Sequence, residues 1–413
     1  MPSISFTEWT QTLSSSAEDS AHALTTGSDG AIYISGYTEG DLDGQTNSGS
    51  YDAFISKYNS DGTKDWTKLL GSDARDSAHG ITTGNDGSIY IAGYTQGNLD
   101  GQINSGDRDA FISKFNPDGT KDWTKLLGSD ARDVAHALTT GSDGSIYIAG
   151  YTDGDLDGQI NSGSDDAFIS KFNPDGTKDW TRVLGGSSYD YGVALTTGSD
   201  GAIYIAGTTG SDLDGQTNSG DNDAFISKYN PDGTKEWTRL LGSSEDDTAY
   251  AITTGLYGSI YIAGSTDGDF DGETNSGGRD AFISKFNPDG TKEWTKLFGS
   301  SEDDSAGFLA AGLDGSIKVL HVTGNFDTEN KLYISKFFDN GNTINENIEA
   351  GSIVANLSTN DANLEDTHTY SLVSGTGDTD NAAFTIEGSH LKINSSPDYE
   401  TQSSYSILSL IHI

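Results

Sequence analysis

An acidic, glycine-rich loop recurs five times along the chain, and its oxygen-bearing side chains could bind a hard cation. The first copy reads GDLDGQTNSGSYDAF, from Gly40 to Phe54. Its D-x-D-G-x-x-N spacing resembles the first part of a calcium loop, in which alternating oxygens turn inward and glycine allows the bend. The candidate Ca²⁺ ligands are Asp41, Asp43 and Asn47, then Asp100 and Asn104, then Asp155, Asp157 and Asn161, then Asp212, Asp214 and Asn218, and finally Asp269, Asp271 and Asn275. The alternative is a solvated loop in which Asp, Asn and Gly only make turns.

A second set of carboxylates stands ten residues after each tryptophan: Asp19, Asp76, Asp133, Asp190, Asp247 and Asp304. Their neighbours vary from copy to copy, whereas the aspartate does not. One interpretation is an Asx-turn, in which the side chain holds its own backbone between two strands. The other is a ring of oxygens near one mouth of a channel, able to hold a hard cation or water.

Three histidines, His22, His79 and His136, occupy one position in successive copies. The same position then holds Val193, Tyr250 and Gly307, so the histidines do not form a complete ring. A zinc site needs its ligands to converge on one point. Neighbouring copies would place them side by side, so packed or hydrogen-bonded histidines are the favoured interpretation.

The elements that position these residues follow from the repeat itself. The tryptophans fall at a constant step of 57 residues: Trp9, Trp66, Trp123, Trp180, Trp237 and Trp294. Each unit holds four β-rich runs, such as AHALTTG, AIYISGYT, DAFISKY and KDWTKLLG, joined by SDG and N(S/P)DG turns. Four antiparallel strands repeated in this way predict the blades of a β-propeller, with the tryptophan strand outermost and its indole packed between blades.

The two ends of the array are complementary and predict six blades. The last unit lacks a tryptophan strand, because Asn345 stands at the tryptophan's place. The segment SFTEWTQTLS at the start is a tryptophan strand without a blade. The N-terminal strand is therefore expected to complete the sixth sheet and close the ring, which removes exposed sheet edges.

Residues 4 to 338 resemble the bacterial SBBP β-propeller repeat family, whose units carry a similar DAF..K.NPDG...W pattern. The resemblance implies the propeller fold for residues 1–342 but no shared activity. In the following segment, 343–413, the motifs NEN, STNDAN, TYSL, AAFTIEG and PDYE resemble a cadherin-like β-sandwich. That resemblance implies calcium ligands at Glu346, Asp361, Asp398 and Glu400, with Asn363 in place of the usual aspartate. The family's final strand and closing motif are missing, so the sandwich is expected to be incomplete.

Composition limits the partners. Counting 23 basic and 63 acidic residues gives a formal charge of −40, which argues against nucleic acids and anionic membranes. No apolar run is long enough to span a bilayer, and MPSISFTEW is not a signal peptide. There are no cysteines, so neither disulfides nor thiolate metal sites are expected.

Strand alternation should bring the acidic loops and the Asp19-type turns to one face, and the lysines of the DGTK segments (Lys64, Lys121, Lys178, Lys235 and Lys292) to the other. The favoured function is a non-enzymatic scaffold or adhesion module, extracellular or on the cell surface, assisted by Ca²⁺ and part of a larger multidomain chain. A multivalent carbohydrate-binding propeller is the alternative. A propeller lyase or hydrolase is disfavoured, because the copies are too alike to form one asymmetric site.

Overall fold

The computed structural model describes residues 9–255, 258–312, 316–323, 331–338, 353–356, 369–372, 381–388, 390–395 and 409–412. The chain forms two compact units, Met1–Asp339 and Asn340–Ile413. No helix among the described residues is long and apolar enough to cross a membrane.

The first unit consists of antiparallel sheets in which consecutive strands are neighbours, as predicted for propeller blades. Sheet one contains β1 (Asp19–Thr26), β2 (Ile32–Thr38), β3 (Asp52–Tyr58) and β4 (Lys64–Leu70). Sheet two contains β5 (Asp76–Thr83), β6 (Ile89–Thr95), β7 (Asp109–Phe115) and β8 (Lys121–Leu127), and sheet three contains β9 (Asp133–Thr140), β10 (Ile146–Thr152), β11 (Asp166–Phe172) and β12 (Lys178–Leu184). Sheet four contains β13 (Asp190–Thr197), β14 (Ile203–Thr209), β15 (Asp223–Tyr229) and β16 (Lys235–Leu241), and sheet five contains β17 (Asp247–Thr254), β18 (Ile260–Thr266), β19 (Asp280–Phe286) and β20 (Lys292–Phe298). Sheet six has three strands in the described residues, β21 (Asp304–Ala311), β22 (Ser316–Thr323) and β23 (Lys331–Phe338).

In blades one to four, two aspartate-glycine turns join the strands at one end of the sheet. In blade one, the amide N–H of Ala31 donates to Asp29 Oδ1, and Gly30 supplies the positive φ of 78°. The second turn uses Asp61, which accepts the backbone N–H of Thr63 at 2.9 Å. We call the face that carries these turns the hairpin face. The opposite face carries the long loops between the second and third strands and the turns between blades, and we call it the loop face.

The innermost strand of each blade contains a bulge. In β1 the pairing register shifts between Ala21 and Ala23, so that His22 is the extra residue. The partner strand carries Gly36 opposite the bulge, where an added Cβ would lie 1.8 Å from the carbonyl oxygen of Ser20. Glycine allows this approach of two backbones in blades one to five, whereas blade six has His321 at the equivalent position.

Neighbouring blades are joined by apolar residues of both sheets. Between blades one and two, Ile55 and Leu70 pack with Ile91 and Phe111, and all four are almost fully buried. The tryptophans seal the outer edge of these interfaces, as the sequence predicts. The Trp66 indole Nε1 donates to the Pro117 carbonyl at 3.3 Å, and its ring covers a glycine in the hairpin of the next blade.

The six innermost strands, β1, β5, β9, β13, β17 and β21, all contribute residues to the lining of a central channel of about 250 Å³. The prediction of an all-β six-bladed propeller with AHALTTG-type strands innermost is thereby confirmed. The side of blade one on which blade six would pack is more exposed than the equivalent side of the other blades. Leu24 is 63% exposed, whereas the equivalent Leu138 is 8% exposed, because no preceding blade covers Leu24 in the described residues.

Closure by the N-terminal strand falls largely outside the described residues, which begin at Trp9. The described part of that segment is not a strand, so the pairing predicted for it is not formed there. Trp9 nevertheless stacks on Tyr58 with ring centroids 6.4 Å apart and covers Gly62. Trp66 covers Gly119 of the next blade in the same way. Trp9 thus occupies the position of the outer tryptophan of a blade that precedes blade one.

We expect Trp9→Ala to lower the unfolding free energy of the propeller by about 1–2 kcal/mol, because the half-buried indole leaves a gap over Gly62. Urea denaturation followed by tyrosine fluorescence measures this. Thr10→Ala, at the exposed neighbouring position, is the matched control. Equal stability of the two variants would mean that Trp9 does not anchor blade one.

The second unit contains β24 (Ile353–Asn356), β25 (Thr369–Leu372), a 3₁₀ turn (Asn381–Ala383), β26 (Phe384–Glu387), β27 (His390–Ile393) and β28 (Ser409–His412). They form one sheet in the order β24-β27-β26 and a second sheet of β25 with β28. Phe384, Leu391 and Ile393 form a small buried cluster. The predicted calcium ligands of this unit, Glu346, Asp361, Asn363, Asp398 and Glu400, lie outside the described residues.

Candidate functional site

The D-x-D-G segment of the acidic loop is a tight turn. Asp43 and Gly44 both have positive φ, 53° and 76°, as the two central residues of a type I′ turn require. Leu42 and Gln45 pair across this turn, and the Leu42 side chain is fully buried. The other four loops repeat this geometry at Asp100, Asp157, Asp214 and Asp271. The second aspartate of the motif therefore serves the backbone, since aspartate tolerates the left-handed region better than most residues.

The first aspartate and the asparagine of the motif hold the loop together. Asp41 Oδ1 accepts the backbone N–H of Asn47 at 2.9 Å. The Asn47 side-chain amide donates to the Thr38 carbonyl, and its oxygen accepts the N–H of Gly49, each at 2.9 Å. Blade three repeats these bonds with Asp155 and Asn161. These are the contacts of a turn-forming loop.

The carboxylate of Asp43 is bonded to Lys64 and to the Thr67 hydroxyl. Burial acts to raise its pKa, but the hydrogen bonds from Lys64 and Thr67 prevail and lower the pKa of Asp43. Equivalent ion pairs join Lys121 to Asp100, Lys178 to Asp157, Lys235 to Asp214 and Lys292 to Asp271. Each of these lysines begins the outer strand next to the hairpin-face turn, as predicted. The loop, however, folds back along that strand, so its second aspartate lies beside the lysine.

Calcium binding by these loops stays a prediction. In the described part of the chain, no group of three or more His, Asp or Glu side chains is placed to hold a metal ion. Calcium would have to compete with Lys178 for Asp157 in blade three. If calcium binds as predicted, the affinity is about millimolar, because each loop offers few carboxylates.

We expect calorimetric titration at constant ionic strength to give five weak calcium sites, and Lys178→Gln to strengthen one of them by releasing Asp157. Magnesium is the ion control, and Asp155→Asn combined with Asp157→Asn should remove one site. No calcium heat beyond that of magnesium, with unchanged stoichiometry in the double variant, would show that the loops are turns only.

Five of the invariant aspartates after the tryptophans are buried between blades: Asp76, Asp133, Asp190, Asp247 and Asp304. Asp76 is 0% exposed, and its Oδ2 accepts the backbone N–H and the hydroxyl of Ser72 at 2.6 and 2.8 Å. This confirms the Asx-type turn and overturns the idea of an oxygen ring at the channel mouth. Asp52, also 0% exposed, accepts the N–H of Ser48 in the same way. A backbone bond from Asp76 N–H to the Tyr51 carbonyl, 2.9 Å, places the two turns side by side.

These buried aspartates thus form pairs across each step between blades: Asp52 with Asp76, Asp109 with Asp133, Asp166 with Asp190, Asp223 with Asp247 and Asp280 with Asp304. The Oδ1 atom of every one of them is buried without a hydrogen-bond partner. Burial raises the pKa of Asp166 to about 6, and the charge of Asp190 adds to this. Burial likewise raises the pKa of Asp247 to about 6, assisted by Asp223.

The channel ends on the loop face in a cluster that the sequence analysis missed. His22, His79 and His136, at the bulges of three neighbouring inner strands, lie in a row with ring centroids 5.1 Å apart. Such a row does not converge on one metal ion, as predicted. Burial lowers the pKa of His79 to about 3 and that of His136 to about 4, with the neighbouring histidines adding to the effect. Both imidazoles are therefore neutral at pH 7.

Tyrosines and arginines surround this row. Tyr37, Tyr94 and Tyr151 each lie beside one histidine, with centroids 5.4 to 5.6 Å apart. The Arg75 guanidinium lies 4.9 Å from the Tyr51 ring centroid, and that of Arg108 lies 4.7 Å from the Tyr94 centroid. We call this cluster of blades one to four the channel mouth: His22, His79, His136, Tyr37, Tyr51, Tyr94, Tyr151, Tyr189, Tyr191, Arg75, Arg108 and Arg132.

A comparison of the copies with one another would have found this cluster. The framework positions barely change, whereas the positions of the mouth do. The place of Tyr51 holds Arg108, Asp165, Asn222 and Arg279 in the later copies, and that of Arg75 holds Arg132, Tyr189, Asp246 and Asp303. On the hairpin face the Ser28 position also differs between copies, with Asn85, Ser142 and Ser199 in the next three blades. The sequence analysis treated the copies as too alike to form an asymmetric site, but the differences between them are concentrated at the channel mouth.

Comparisons with known proteins agree with the repeat architecture. The SBBP beta-propeller repeat matches residues 65–100, 122–157 and 236–271. A domain of unknown function described as a beta-propeller, DUF5122, matches residues 84–124 and 141–181. The chain therefore contains SBBP beta-propeller repeats. Neither comparison supports a cadherin-like second unit.

One curated relative is the regulatory protein FlaEY of Caulobacter vibrioides, 29% identical over 208 residues. The match covers 45% of this chain and 22% of that protein, so the chain spans about a fifth of its length.

Among solved structures, a catalytically inactive virginiamycin B lyase from Staphylococcus aureus with quinupristin is 14% identical, with a TM-score of 0.42 over 79% of this chain and 88% of that one. The WD40 domain of Neurospora crassa Pan2 is 11% identical, with a TM-score of 0.42 over 72% and 74%.

Proposed function

We propose that this β-propeller repeat protein is a non-enzymatic scaffold and adhesion module that binds its partner at the channel mouth. The observation that carries the proposal is the contrast between an almost constant framework and a mouth whose residues differ from blade to blade. Identical blades suffice for a stable ring. Residues that differ at one end of the channel supply the single asymmetric surface that specific recognition requires.

The chemistry of the mouth supports binding rather than turnover. A general base is normally oriented by a second polar group, most often a carboxylate. In the described residues, no histidine of the mouth is hydrogen-bonded to a carboxylate, and His22 Nδ1 contacts the Ala78 carbonyl at 3.1 Å. The half-buried tyrosines instead offer broad, rigid contact surfaces of the kind that dominate recognition sites.

The proposal also includes an extracellular or cell-surface location and an adhesive role for the second unit. A net charge of −40 keeps the protein soluble at high ionic strength and suits an extracellular or cell-surface setting. The resemblance of residues 343–413 to a cadherin-like sandwich would add a second adhesive element, within a longer multidomain chain. Calcium, if the loops bind it, would screen the acidic face.

Binding to glycan and protein arrays tests the proposal, with Tyr94→Ala and Tyr151→Ala as variants of the mouth. We expect both to lose at least about ten-fold in affinity for whatever ligand the arrays identify, because each removes a ring from a desolvated contact. Asn85→Ser, which installs the residue of the other copies on the hairpin face, should bind like the parent.

Mass spectrometry of the recovered ligand adds the enzymatic control. An unchanged ligand agrees with a binding module, whereas a cleaved ligand would make the protein an enzyme. Full binding by both tyrosine variants would place the site elsewhere and overturn the proposal.

A further inference from the structure

Two arginines of the channel mouth have no acceptor in a chain that is dominated by carboxylates. Arg132 and Arg279 form ion pairs with Asp153 and Asp267, and Arg182 and Arg239 donate to the carbonyls of Gly233 and Gly290. Among the described residues, Arg75 and Arg108 have no such partner, and the Arg108 Nε atom is buried without a hydrogen bond. A buried donor left unpaired costs about 1–3 kcal/mol, so the sequence keeps this arginine at a cost in stability.

Both guanidinium groups lie over tyrosine rings, Arg75 over Tyr51 and Arg108 over Tyr94. Because the Nε atom of Arg108 is buried, a ligand would reach this arginine through the N–H groups of its Nη atoms. Those N–H groups match the two oxygens of a carboxylate as a bidentate pair.

The acidic side chains around the mouth are already engaged. Glu18 accepts the Tyr37 hydroxyl at 2.8 Å, and Asp107 accepts the Gln96 amide at 3.4 Å. Asp165 accepts the Tyr191 hydroxyl at 3.1 Å and also lies 3.4 Å from Arg132. None of them bonds to Arg75 or Arg108 in the described residues. The net charge of −40 disfavours polyanions in general, but these two unpaired arginines supply local positive charge at the mouth that an anion of matching shape could use.

The remaining groups of the mouth suit hydroxyl groups and flat apolar ring faces. His79 is neutral at pH 7, and its buried Nδ1 has no hydrogen-bond partner. A neutral imidazole offers one donor and one acceptor, as a hydroxyl group does. Tyr37 and Tyr51 stack with centroids 4.8 Å apart, and Tyr151 and Tyr191 meet edge to face at 4.9 Å. These tyrosine pairs extend the row of aromatic rings from blade one to blade four.

We propose that the channel mouth binds a glycan whose sugar units carry carboxylate groups, a polyuronate, with Arg75 and Arg108 receiving carboxylates, the tyrosine rings packing against sugar rings and His79 bonding a hydroxyl. This rests on the proposed function and names the ligand class of the same site. The protein has one such site rather than one in every blade. The position of Arg108 holds Asp165 in blade three and Asn222 in blade four, and the position of Arg75 holds Tyr189 and Asp246 in the turns that follow these two blades. It differs in this from a multivalent lectin with one site in every blade.

Isothermal titration of the full chain with a uronate tetrasaccharide at pH 7.5 and moderate salt tests the ligand class. The matched probe is the same tetrasaccharide with its carboxylates reduced to alcohols. We expect the reduced sugar to bind at least about ten-fold more weakly, because it cannot form the bidentate pairs with arginine. Equal binding of both sugars would overturn the proposal, as would tighter binding of a glutamate-rich peptide, which would assign the arginines to a protein partner.

Arg108→Gln is the key variant, and we expect it to weaken binding of the uronate at least about ten-fold while the reduced sugar is unaffected. Arg279→Gln makes the same change at the equivalent position of blade five, where Arg279 is paired with Asp267, and should stay within about two-fold of the parent. Thermal melting of both variants checks folding. Unchanged uronate binding by a folded Arg108→Gln variant would overturn the assignment. The Tyr94→Ala and Tyr151→Ala variants separate the two proposals. If they no longer bind a ligand found on the arrays and that ligand is not a uronate, the polyuronate proposal is wrong, whereas the proposed binding function is supported.

Discussion

Gly150→Ala is expected to destabilise the propeller by at least about 4 kcal/mol and to abolish soluble expression at physiological temperature. Gly150 in β10 faces the bulge of β9, and an added Cβ would lie 1.8 Å from the Val134 carbonyl oxygen and 2.8 Å from its carbon. Both atoms belong to the backbone of a buried ladder, so no side chain can move aside. Expression yield and urea denaturation measure the effect.

Gly158→Ala is the matched control in the same blade. Gly158 has a φ of 73° and no atom within 4 Å of the added Cβ, so the change costs only the left-handed conformation, about 1 kcal/mol. If both substitutions lowered the unfolding free energy by a similar amount, the close backbone approach at the bulge would not be what requires glycine at position 150.

Asp166→Asn is expected to stabilise the protein at pH 8, although it removes a residue that every one of the five loops retains. The pKa of Asp166 is about 6 in the folded state, above its ordinary value of 3.8, mainly through burial. The folded state therefore binds this proton more tightly, and stability is lost as pH rises from about 4 through 6. The isosteric amide keeps the bond from Ser162 N–H and carries no charge.

The expected gain is about 1–3 kcal/mol at pH 8, up to the free energy that corresponds to a shift of about two pKa units, and close to zero at pH 4.5. Urea denaturation at both pH values gives the difference. Asp175→Asn is the control, since hydrogen bonds from Thr177 lower the pKa of this exposed carboxyl, and its removal should not stabilise at pH 8. A loss of stability at pH 8 in Asp166→Asn would instead indicate that a bound cation neutralises the pair with Asp190.

The blades could be predicted from sequence because their determinants are local. Alternating runs and aspartate-glycine turns define each hairpin, and the 57-residue step of the tryptophans repeats it. The path of the acidic loop could not be predicted in this way. Asp43 pairs with Lys64, which is remote in sequence, and the two residues meet only when the loop folds along β4. The same applies to Asp52 and Asp76, whose pairing depends on how one blade meets the next.

The channel mouth was missed for a related reason. An isolated parallel β-bridge between two turns brings Tyr51 and Arg75 together, and no local sequence pattern predicts this bridge. His79 and Arg108 meet at Tyr94 because strand pairing and blade packing place three distant segments at one point. Differences between copies, rather than the motifs they share, mark such a place in a repeat protein.

The tryptophan contacts have a consequence for blade order. Trp66 and Lys57 both donate to Pro117, and Trp123 and Lys114 make the same bonds to Pro174 in the next blade. Trp180 with Lys171 and Trp237 with Lys228 repeat these bonds to Pro231 and Pro288, so blades two to four each have the same donor edge and the same acceptor edge. These interfaces would therefore accept the three blades in any order, and only the covalent chain determines which blade follows which. Exchanging these 57-residue copies would keep the contacts between blades and change the arrangement of His, Tyr and Arg at the channel mouth.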